Sequence, residues 1–332
     1  MAETASNAGA TSLAAASPEP TESKSAAATQ ASTSTAPSIA TWQSARPETY
    51  AEPVVVIEPR PDGFFARLAS LWRFRGVYAF LLKESTFRRA RGTLLGIWWL
   101  LLRPLIPAAS LIFAFGSVGP MDTQSAVPYP IFFLSGYIPF QLFQSSMRHL
   151  PRMLSRSQSL MRRTYFPRLL VPLAGFGLPL IEAAILVAVF IILVAIGAWR
   201  GDPFPLQLGW HTLWLLPCVL ASLLFALAFG LVFGVVALFF RDVIFSLRFF
   251  TMLVLFLTPV VYPMTVFPES YRWVIFAINP MAQVVLVSRW ALTAQGEFEL
   301  GFLLLSFASV AVFLGIGLVF FHRAEVHLGD QL

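Results

Sequence analysis

Charged residues are scarce in this 332-residue sequence. Asp, Glu, Lys and Arg together make up 12% of it, about half the fraction that a soluble domain carries. This scarcity excludes a soluble enzyme, and a hydrophobic content of 57% excludes a disordered scaffold. Five long stretches contain no charge at all, and a sixth contains one acid, Glu182; the six stretches are 104–121, 123–147, 203–240, 249–268, 300–322 and 169–199.

Residue types that carry chemistry are also missing. The one cysteine, Cys218, cannot form an intrachain disulfide or build a zinc site alone. A Walker ATP site needs a lysine that follows glycine, whereas Lys24 follows serine and Lys83 follows leucine. The four histidines lack metal-ligand spacing with a carboxylate. The sequence therefore predicts no catalytic site, no metal and no cofactor in this chain.

The charge-free stretches have the length of membrane spans. A spanning helix needs about 20 mostly apolar residues, and each stretch provides enough. The fold class predicted is therefore all-α integral membrane, with a six-span transmembrane domain over 93–332. Its six transmembrane helices are expected at about 94–117, 128–147, 169–198, 211–240, 243–263 and 300–321.

Two segments precede the first predicted span. Residues 1–57 open with 40 residues of which 27 are Ala, Ser or Thr, so they bury too little apolar surface to fold, and a disordered leader is predicted. This leader is either a passive solvated segment or a regulatory tail. Residues 58–92 mix Phe, Leu and Trp with Arg, which is typical of an amphipathic helix at the membrane interface.

The distribution of Lys and Arg predicts the orientation of the chain. Seventeen basic residues lie before span one, between spans two and three, between spans four and five, and after span six. The opposite side has three, which are Arg200, Arg272 and Arg289. Because positive loops stay in the cytoplasm, both termini are predicted to be cytoplasmic. The net charge of +6 then marks membrane flanks and needs no nucleic-acid partner.

The segment 258–292 is neither a clean span nor a loop. It contains four prolines, and its apolar runs are too short to cross a bilayer. Non-helical backbone persists at membrane depth only where protein or a water-filled cavity surrounds it. We therefore predict two short re-entrant gate helices over about 264–290 that dip in from the external face. The alternative is an external loop that rests on the headgroups.

Six motifs occur in order along the chain. They are RRARGTLLGIWWLLLRPL at 88–105, PYPIFFLSGYIPFQLFQSS at 128–146, LMRRTYFPRLLVPLAG at 160–175, FFRDV at 239–243, LTPVVYP at 257–263 and RWVIFAINP at 272–280. In this order they resemble the motifs of the permease subunits of polysaccharide ABC exporters of the O-antigen, capsule or teichoic acid type. The first three are similar to the first-span motif, the second-span signature and the cytoplasmic element of that family. The sequence departs from the family pattern at Arg103, at Leu286 and at Lys83 with Glu84.

The resemblance implies a half-transporter in the bacterial inner membrane, in contact with membrane lipids. Two copies would form a channel and pair with two copies of a cytoplasmic ABC ATPase subunit, which would hold ATP and Mg. The substrate would be a lipid-linked cell-surface polysaccharide, O-antigen first and capsule second. Two alternatives stay open: a drug or small-lipid ABC efflux permease, and a membrane glycan polymerase or acyltransferase.

Two sets of predicted site residues lie towards the cytoplasm. The resemblance assigns a coupling helix that contacts the ATPase to about 150–168, and a plain positive loop is the alternative. Its predicted contacts are Leu160, Tyr165, Phe166, Pro167 and Arg168. Arginine presents a fork that suits phosphate geometry, so an anionic lipid headgroup is predicted to enter beside Arg88, Arg89 and Arg91. Attraction of these arginines to anionic lipid is the alternative.

The remaining predicted site residues lie on the spans and at the external face. Sugar C–H faces stack on aromatic rings, which predicts a glycan path, although aromatics are common at membrane interfaces. The path residues are Trp98, Trp99, Phe132, Phe133, Tyr137, Phe140 and Phe143. The external gate, or a set of simple turns, comprises Tyr262, Pro263, Pro268, Asn279, Pro280 and Arg289.

Glu182 is the one acid within the third predicted span. An ionisable group at that depth is costly and is usually paired or functional. We expect structural pairing rather than transport chemistry, with Arg103 or a partner subunit as the counterion.

Overall fold

A computed structural model describes residues 74–87, 96, 98–117, 127–163, 166–201, 209–240, 242–294 and 299–331, with backbone alone for 87, 162–163 and 325–331. All of these residues belong to one compact unit that begins at Pro61. The predicted leader 1–57, the interface segment outside 74–87, and Tyr165, Arg88, Arg89 and Arg91 lie outside the described residues.

The described chain is entirely helical. Short 3₁₀ turns occur at Trp210–Trp214, Met264–Val266 and Glu269–Tyr271. The α-helices are α1 Arg75–Phe87, α2 Trp98–Ser117, α3 Tyr129–Arg156, α4 Gln158–Arg163, α5 Leu170–Ala174, α6 Gly177–Arg200, α7 Leu215–Phe239, α8 Asp242–Leu257, α9 Arg272–Ile278, α10 Pro280–Thr293 and α11 Leu300–Gln331.

Four helical segments are long and apolar enough to cross a membrane, or five if a bent pair of helices counts as one span. The four are Trp98–Ser117, Leu170–Arg200, Trp210–Phe239 and Leu300–Ala324, and the pair is Glu269–Ile278 with Pro280–Thr293. By this measure the predicted number of six spans is not reached in the described part of the chain. Two predicted spans fall short because α3 carries Gln, Ser, Tyr and Pro among its apolar residues and α8 has only 16 residues.

Helix α3 lies at the centre of the bundle. It packs most extensively against α7 and α6, and it also contacts α10, α8, α5 and α2. Its Phe143 ring stacks on Phe225 of α7 at a centroid distance of 5.1 Å, and Phe225 meets Phe313 of α11 edge-on at 5.5 Å. This row of rings joins three helices into one core.

The packing of α7 against α11 depends on a small residue. A Cβ atom at Gly317 of α11 would lie 2.6 Å from the backbone oxygen of Ala228 in α7. Small residues let helix backbones approach closely in membrane bundles, and here the neighbouring atom is backbone that cannot rotate away. Any larger residue at 317 would force the two helices apart.

Helix α1 docks on the junction between α5 and α6. Ser85 donates a hydrogen bond to the backbone oxygen of Ala174 at 3.1 Å, and Leu81 is fully buried. The helix therefore rests on the bundle through one face, while Phe80 remains exposed. An apolar side chain on the outer face fits the predicted interfacial position.

The segment after α8 is broken into short pieces. Two 3₁₀ turns lead into α9, and α9 meets α10 at an angle of 106°. Pro263, Pro268 and Pro280 each precede or begin one of these pieces, because proline fixes φ and cannot donate a backbone hydrogen bond. The predicted gate segment therefore consists of turns and two short helices.

Candidate functional site

The side chain of Arg289 in α10 reaches the first turn of α3 and the backbone just beyond the end of α8. It is buried, and its guanidinium donates to three backbone carbonyls. Nε bonds the oxygen of Phe132 at 3.2 Å, and Nη2 bonds the oxygens of Pro259 and Val260 at 2.9 and 2.7 Å. The carbonyls of Pro259 and Val260 are available because the backbone leaves its helical path beyond Leu257, whereas Phe132 lies in the first turn of α3. Arg289 thereby ties the broken segment to the central helix.

The same guanidinium also stacks on an aromatic ring. Its Cζ lies 3.7 Å from the centroid of the Phe132 ring, a cation–π geometry. Gly136 makes room, since a Cβ there would lie 3.2 Å from Nη2 of Arg289 and 2.7 Å from Val285. No carboxylate in the described residues pairs with this arginine, so carbonyl dipoles and a ring face compensate its charge.

Two further hydrogen bonds reach the break after α8, and a third joins α10 to α3. Asn279 donates its Nδ2 to Oγ1 of Thr258 at 2.8 Å, and Tyr129 donates its hydroxyl to the oxygen of Val261 at 3.1 Å. Ser288 bonds the oxygen of Ser135 at 2.7 Å. Of the predicted gate residues, the structure thus brings Asn279 and Arg289 together. Sequence reasoning missed Tyr129, although Pro259 signals that nearby carbonyls lack helical partners.

The other predicted gate residues occupy turn positions. Tyr262 donates its hydroxyl to the oxygen of Phe256 at 2.6 Å, and its ring lies 5.7 Å from that of Phe267. Pro263 and Pro268 precede the 3₁₀ turns, and Pro280 begins α10. Their role in gating stays a prediction.

A second polar cluster surrounds Glu182 of α6, which is buried. One carboxylate oxygen accepts a hydrogen bond from the hydroxyl of Ser145 in α3. The other lies 3.5 Å from Nη1 of Arg103 in α2. This confirms the predicted pairing of Glu182 with Arg103. The pair joins α2, α3 and α6, the three helices that meet here.

The polar side chains of α3 continue on both sides of Ser145. Tyr137 donates its hydroxyl to Oε1 of Gln141 at 3.0 Å, one helical turn before Ser145. Arg148 lies within electrostatic range of Glu182, Arg152 and Arg103. A stripe spaced by three or four residues follows one face of a helix, so α3 carries a continuous polar face.

The predicted glycan-path residues divide into two groups. Trp98 and Trp99 of α2 are 62% and 47% exposed. The five α3 rings are buried within the protomer, at 8% exposure or less: Phe132, Phe133, Tyr137, Phe140 and Phe143. The sequence could not separate the two groups, because α3 is enclosed on nearly all of its faces.

The predicted coupling segment begins within α3. Residues 150–156 form the last turns of that helix, and Ser157 separates them from α4. Leu160 is half-buried on α4, while Phe166 is buried beside Pro167 and Arg168 at the start of the next helix. The contact with an ATPase stays a prediction.

These features belong to a membrane protein with several spanning helices, and comparison with known proteins identifies its family. Residues 77–293 match the family described as ABC-2 type transporter. The chain belongs to the ABC-2 type transporter family. The match covers the polar face of α3, the Glu182 cluster and Arg289 with its three carbonyl partners.

Individual relatives of this family member are named as export permeases. The "O-antigen export system permease protein RfbA" of Klebsiella pneumoniae is 24% identical over 245 residues, which are 74% of this chain and 90% of the relative. A protein of the same name from Myxococcus xanthus is 26% identical over 65% of this chain and 79% of its own length. The "Polysialic acid transport protein KpsM" of Escherichia coli is 28% identical over 73% and 91%.

Proposed function

We propose that this chain is the transmembrane permease subunit of an ATP-driven exporter that moves a lipid-linked bacterial cell-surface polysaccharide across the inner membrane. The family match over 77–293, together with relatives named for O-antigen export and polysialic acid transport, carries the proposal. O-antigen is our first choice of polymer and capsule our second. ATP hydrolysis belongs to a separate partner subunit, because neither lysine of this chain follows a glycine.

The working form in this proposal is a homodimer with two ATPase subunits. Each protomer contributes six spans, of which α3 and α8 are the two that apolarity alone does not identify. A polar helix can cross a bilayer where neighbouring helices enclose it, and α3 packs against α2, α5, α6, α7, α8 and α10. Both termini lie in the cytoplasm, and α9 and α10 form a re-entrant external gate.

Coupling to the ATPase runs through the segment between α3 and α5 in this proposal. Phe166 and Leu170 are buried in the bundle, so a push on α4 would reach α3 and α6 as a rigid-body displacement. Leu160 and Arg168 remain partly accessible for a partner. Arg88, Arg89 and Arg91 receive the lipid headgroup, and the exposed rings of Trp98 and Trp99 contact the glycan.

The proposal is tested by deleting the gene in its native bacterium and measuring glycan separately at the cell surface and on the lipid carrier inside. We expect loss from the surface with accumulation of finished lipid-linked polymer, since synthesis continues while export stops. A plasmid-borne wild-type copy restores the surface polymer, and a copy with Phe166→Asp does not.

Two other outcomes contradict the proposal. An unchanged surface glycan would point to efflux of drugs or small lipids. Surface loss with single repeat units inside would point to a polymerase or to export of short units.

A further inference from the structure

The chain between Tyr262 and Asn279 is held at both ends by side-chain hydrogen bonds to the end of α8. Tyr262 donates its hydroxyl to the oxygen of Phe256 at 2.6 Å, and Asn279 donates its Nδ2 to Oγ1 of Thr258 at 2.8 Å. Residues 263–278, the flap, comprise two 3₁₀ turns and α9. The flap therefore leaves the bundle and returns to it at one place.

The flap and α10 differ in how much of each is buried. Phe276 is the one buried residue of α9, and Met264 is the one buried residue of the two turns. In α10, eleven of the fourteen residues are buried, because this helix packs against α3, α7, α11 and the turn at Trp210–Trp214. Segments that bury little apolar surface open at a lower free energy than core helices do. The flap is therefore held more weakly than α10.

The flap rests on a small hydrophobic cluster that is separate from the main core. In this cluster Met264 and Phe276 pack with Ala282 of α10. The ring of Phe276 also meets that of Phe302 in α11, at a centroid distance of 4.9 Å. Leu286 of α10, where the sequence departs from the family pattern, packs against the same cluster. Lifting the flap would separate these side chains and leave the main core in place.

Asn279 is the joint at which α9 can turn against α10. It follows α9 and precedes α10, with φ of −123° and ψ of 82°, and the two helices meet at 106°. Its backbone oxygen accepts a hydrogen bond from the amide of Ala282 at 3.0 Å, so Asn279 is tied to α10. Hinge residues lie at the ends of elements and absorb changes in φ and ψ. Since Arg289 binds α10 to the carbonyl of Phe132 in α3, rotation at Asn279 moves the flap alone.

We propose that residues 263–278 swing off α11 as one flap and open the external exit, while α10 stays fixed to α3 as the frame. This inference rests on the proposed function, because the exit is where an exported polymer would leave the protein. It divides the predicted gate into a moving part and a static part. Phe276 holds the moving part closed, and Arg289 anchors the static part.

Hydrogen–deuterium exchange of the purified full chain in lipid nanodiscs tests the flap without any export. We expect the backbone amides of α9 to exchange about a hundredfold faster than those of α10. Phe276→Ala removes the ring that seats the flap, so exchange in α9 should become several-fold faster still, with exchange in α10 unchanged. Trp273→Ala, at a ring of the same helix that is 60% exposed, is the matched control and should change neither rate. Equal exchange in α9 and α10 of the wild type, or equal acceleration of both by Phe276→Ala, would overturn the flap.

Reversible cross-linking tests whether the flap must move during export. In a Cys218→Ala background, Phe276→Cys with Phe302→Cys allows the flap to be tied to α11. Phe225→Cys with Phe313→Cys is the matched pair, because it ties α7 to α11 where the ring centroids lie 5.5 Å apart. A short bifunctional thiol reagent joins each pair, and reduction releases it. We expect the flap cross-link to stop newly made polymer from reaching the cell surface and reduction to restore it, whereas the matched pair should export equally in both states.

A third pair tests whether α10 is static. Ser288→Cys with Ser135→Cys joins α10 to α3, where the Ser288 hydroxyl lies 2.7 Å from the oxygen of Ser135, and export should continue when this pair is cross-linked. Export that stops here would show that α10 moves too, and export that continues with the flap tied down would show that the flap need not move. Either result overturns the proposal. If the wild type itself moves no polymer, the proposed function fails, and hydrogen exchange still decides whether the flap opens apart from α10.

Discussion

Near the first turns of α3, Arg289 is enclosed by the carbonyls of Phe132, Pro259 and Val260 and by an aromatic ring. Near its last turns, Arg148 and Arg152 adjoin Arg103 around the single carboxylate of Glu182, which Arg103 and Ser145 already engage. The same residue type thus appears once with its charge compensated by carbonyls and a ring, and once with charge in excess. The difference teaches that burial of an arginine does not define its role, whereas the inventory of its partners does.

The comparison predicts opposite consequences for removing an arginine at the two ends. At Arg289 the loss exposes unsatisfied acceptors and a cavity, so stability falls. At Arg152 the loss relieves repulsion from Arg156 and Arg103, so stability is kept.

The largest expected effect comes from Arg289→Met. It leaves the carbonyls of Pro259 and Val260 without their donor, while Phe132 keeps the bond from the Ser135 hydroxyl. We expect the free energy of unfolding to fall by about 3–5 kcal/mol. Arg289→Lys should lower the free energy of unfolding by less, because the ammonium can still donate to some of these carbonyls and face the Phe132 ring. Denaturation by SDS in mixed micelles measures both variants, with exposed Arg200→Met as the control.

A loss below about 1 kcal/mol for Arg289→Met would break the comparison. It would show that water or a rearranged backbone satisfies the carbonyls. The hydrogen bonds of Arg289 would then not explain why this residue is buried.

An intermediate effect is expected from Glu182→Gln. The amide keeps an acceptor for the Ser145 hydroxyl but removes the one negative charge of the cluster. We expect the free energy of unfolding to fall by about 1–3 kcal/mol, since Arg103 and Arg148 lose the carboxylate that attracts them. Denaturation by SDS in mixed micelles measures this variant, and an unchanged free energy of unfolding would show that the charge of Glu182 does not stabilise the cluster.

Adding Arg103→Gln to Glu182→Gln isolates the pair. The double variant should recover part of the lost stability, with a coupling energy of about 0.5–1 kcal/mol, because Arg103 is partly exposed and its distance to the carboxylate is long. Strict additivity of the two single variants would show that the contact contributes nothing and that Glu182 acts on Arg148 instead.

The sequence predicts one cluster better than the other for a physical reason. A single acid in a charge-free stretch must find a cation, so Glu182 and Arg103 could be paired in advance. The partners of Arg289 are backbone carbonyls, and no pattern of side chains encodes them. Pro259 shows only that a helix ends there.

The helix boundaries also divide into those that the sequence predicts well and those that it does not. The charge-free stretches anticipate α2, α6, α7 and α11 well, because these helices are apolar over most of their length. Helix α3 extends to Arg156, nine residues beyond the span predicted to end at 147. Its arginines belong to the helix rather than to a loop, because α3 can carry them where α2 and α6 supply a polar environment.

The smallest expected effect on stability comes from Trp98→Ala with Trp99→Ala, and it extends the comparison from arginines to aromatic rings. Both tryptophans are exposed, so the free energy of unfolding should change by no more than about 0.5 kcal/mol. Phe140→Ala, at a fully buried ring of α3, should lower it by about 3–5 kcal/mol.

If the exposed pair contacts the glycan, surface polymer should decrease several-fold in cells that contain wild-type amounts of the variant protein. Trp199→Ala, at an 87% exposed ring of α6, is the matched control and should leave export unchanged. Equal export by the tryptophan pair variant and the control would remove α2 from the glycan path, and the buried rings of α3 would then have no exposed counterpart through which a polymer reaches them.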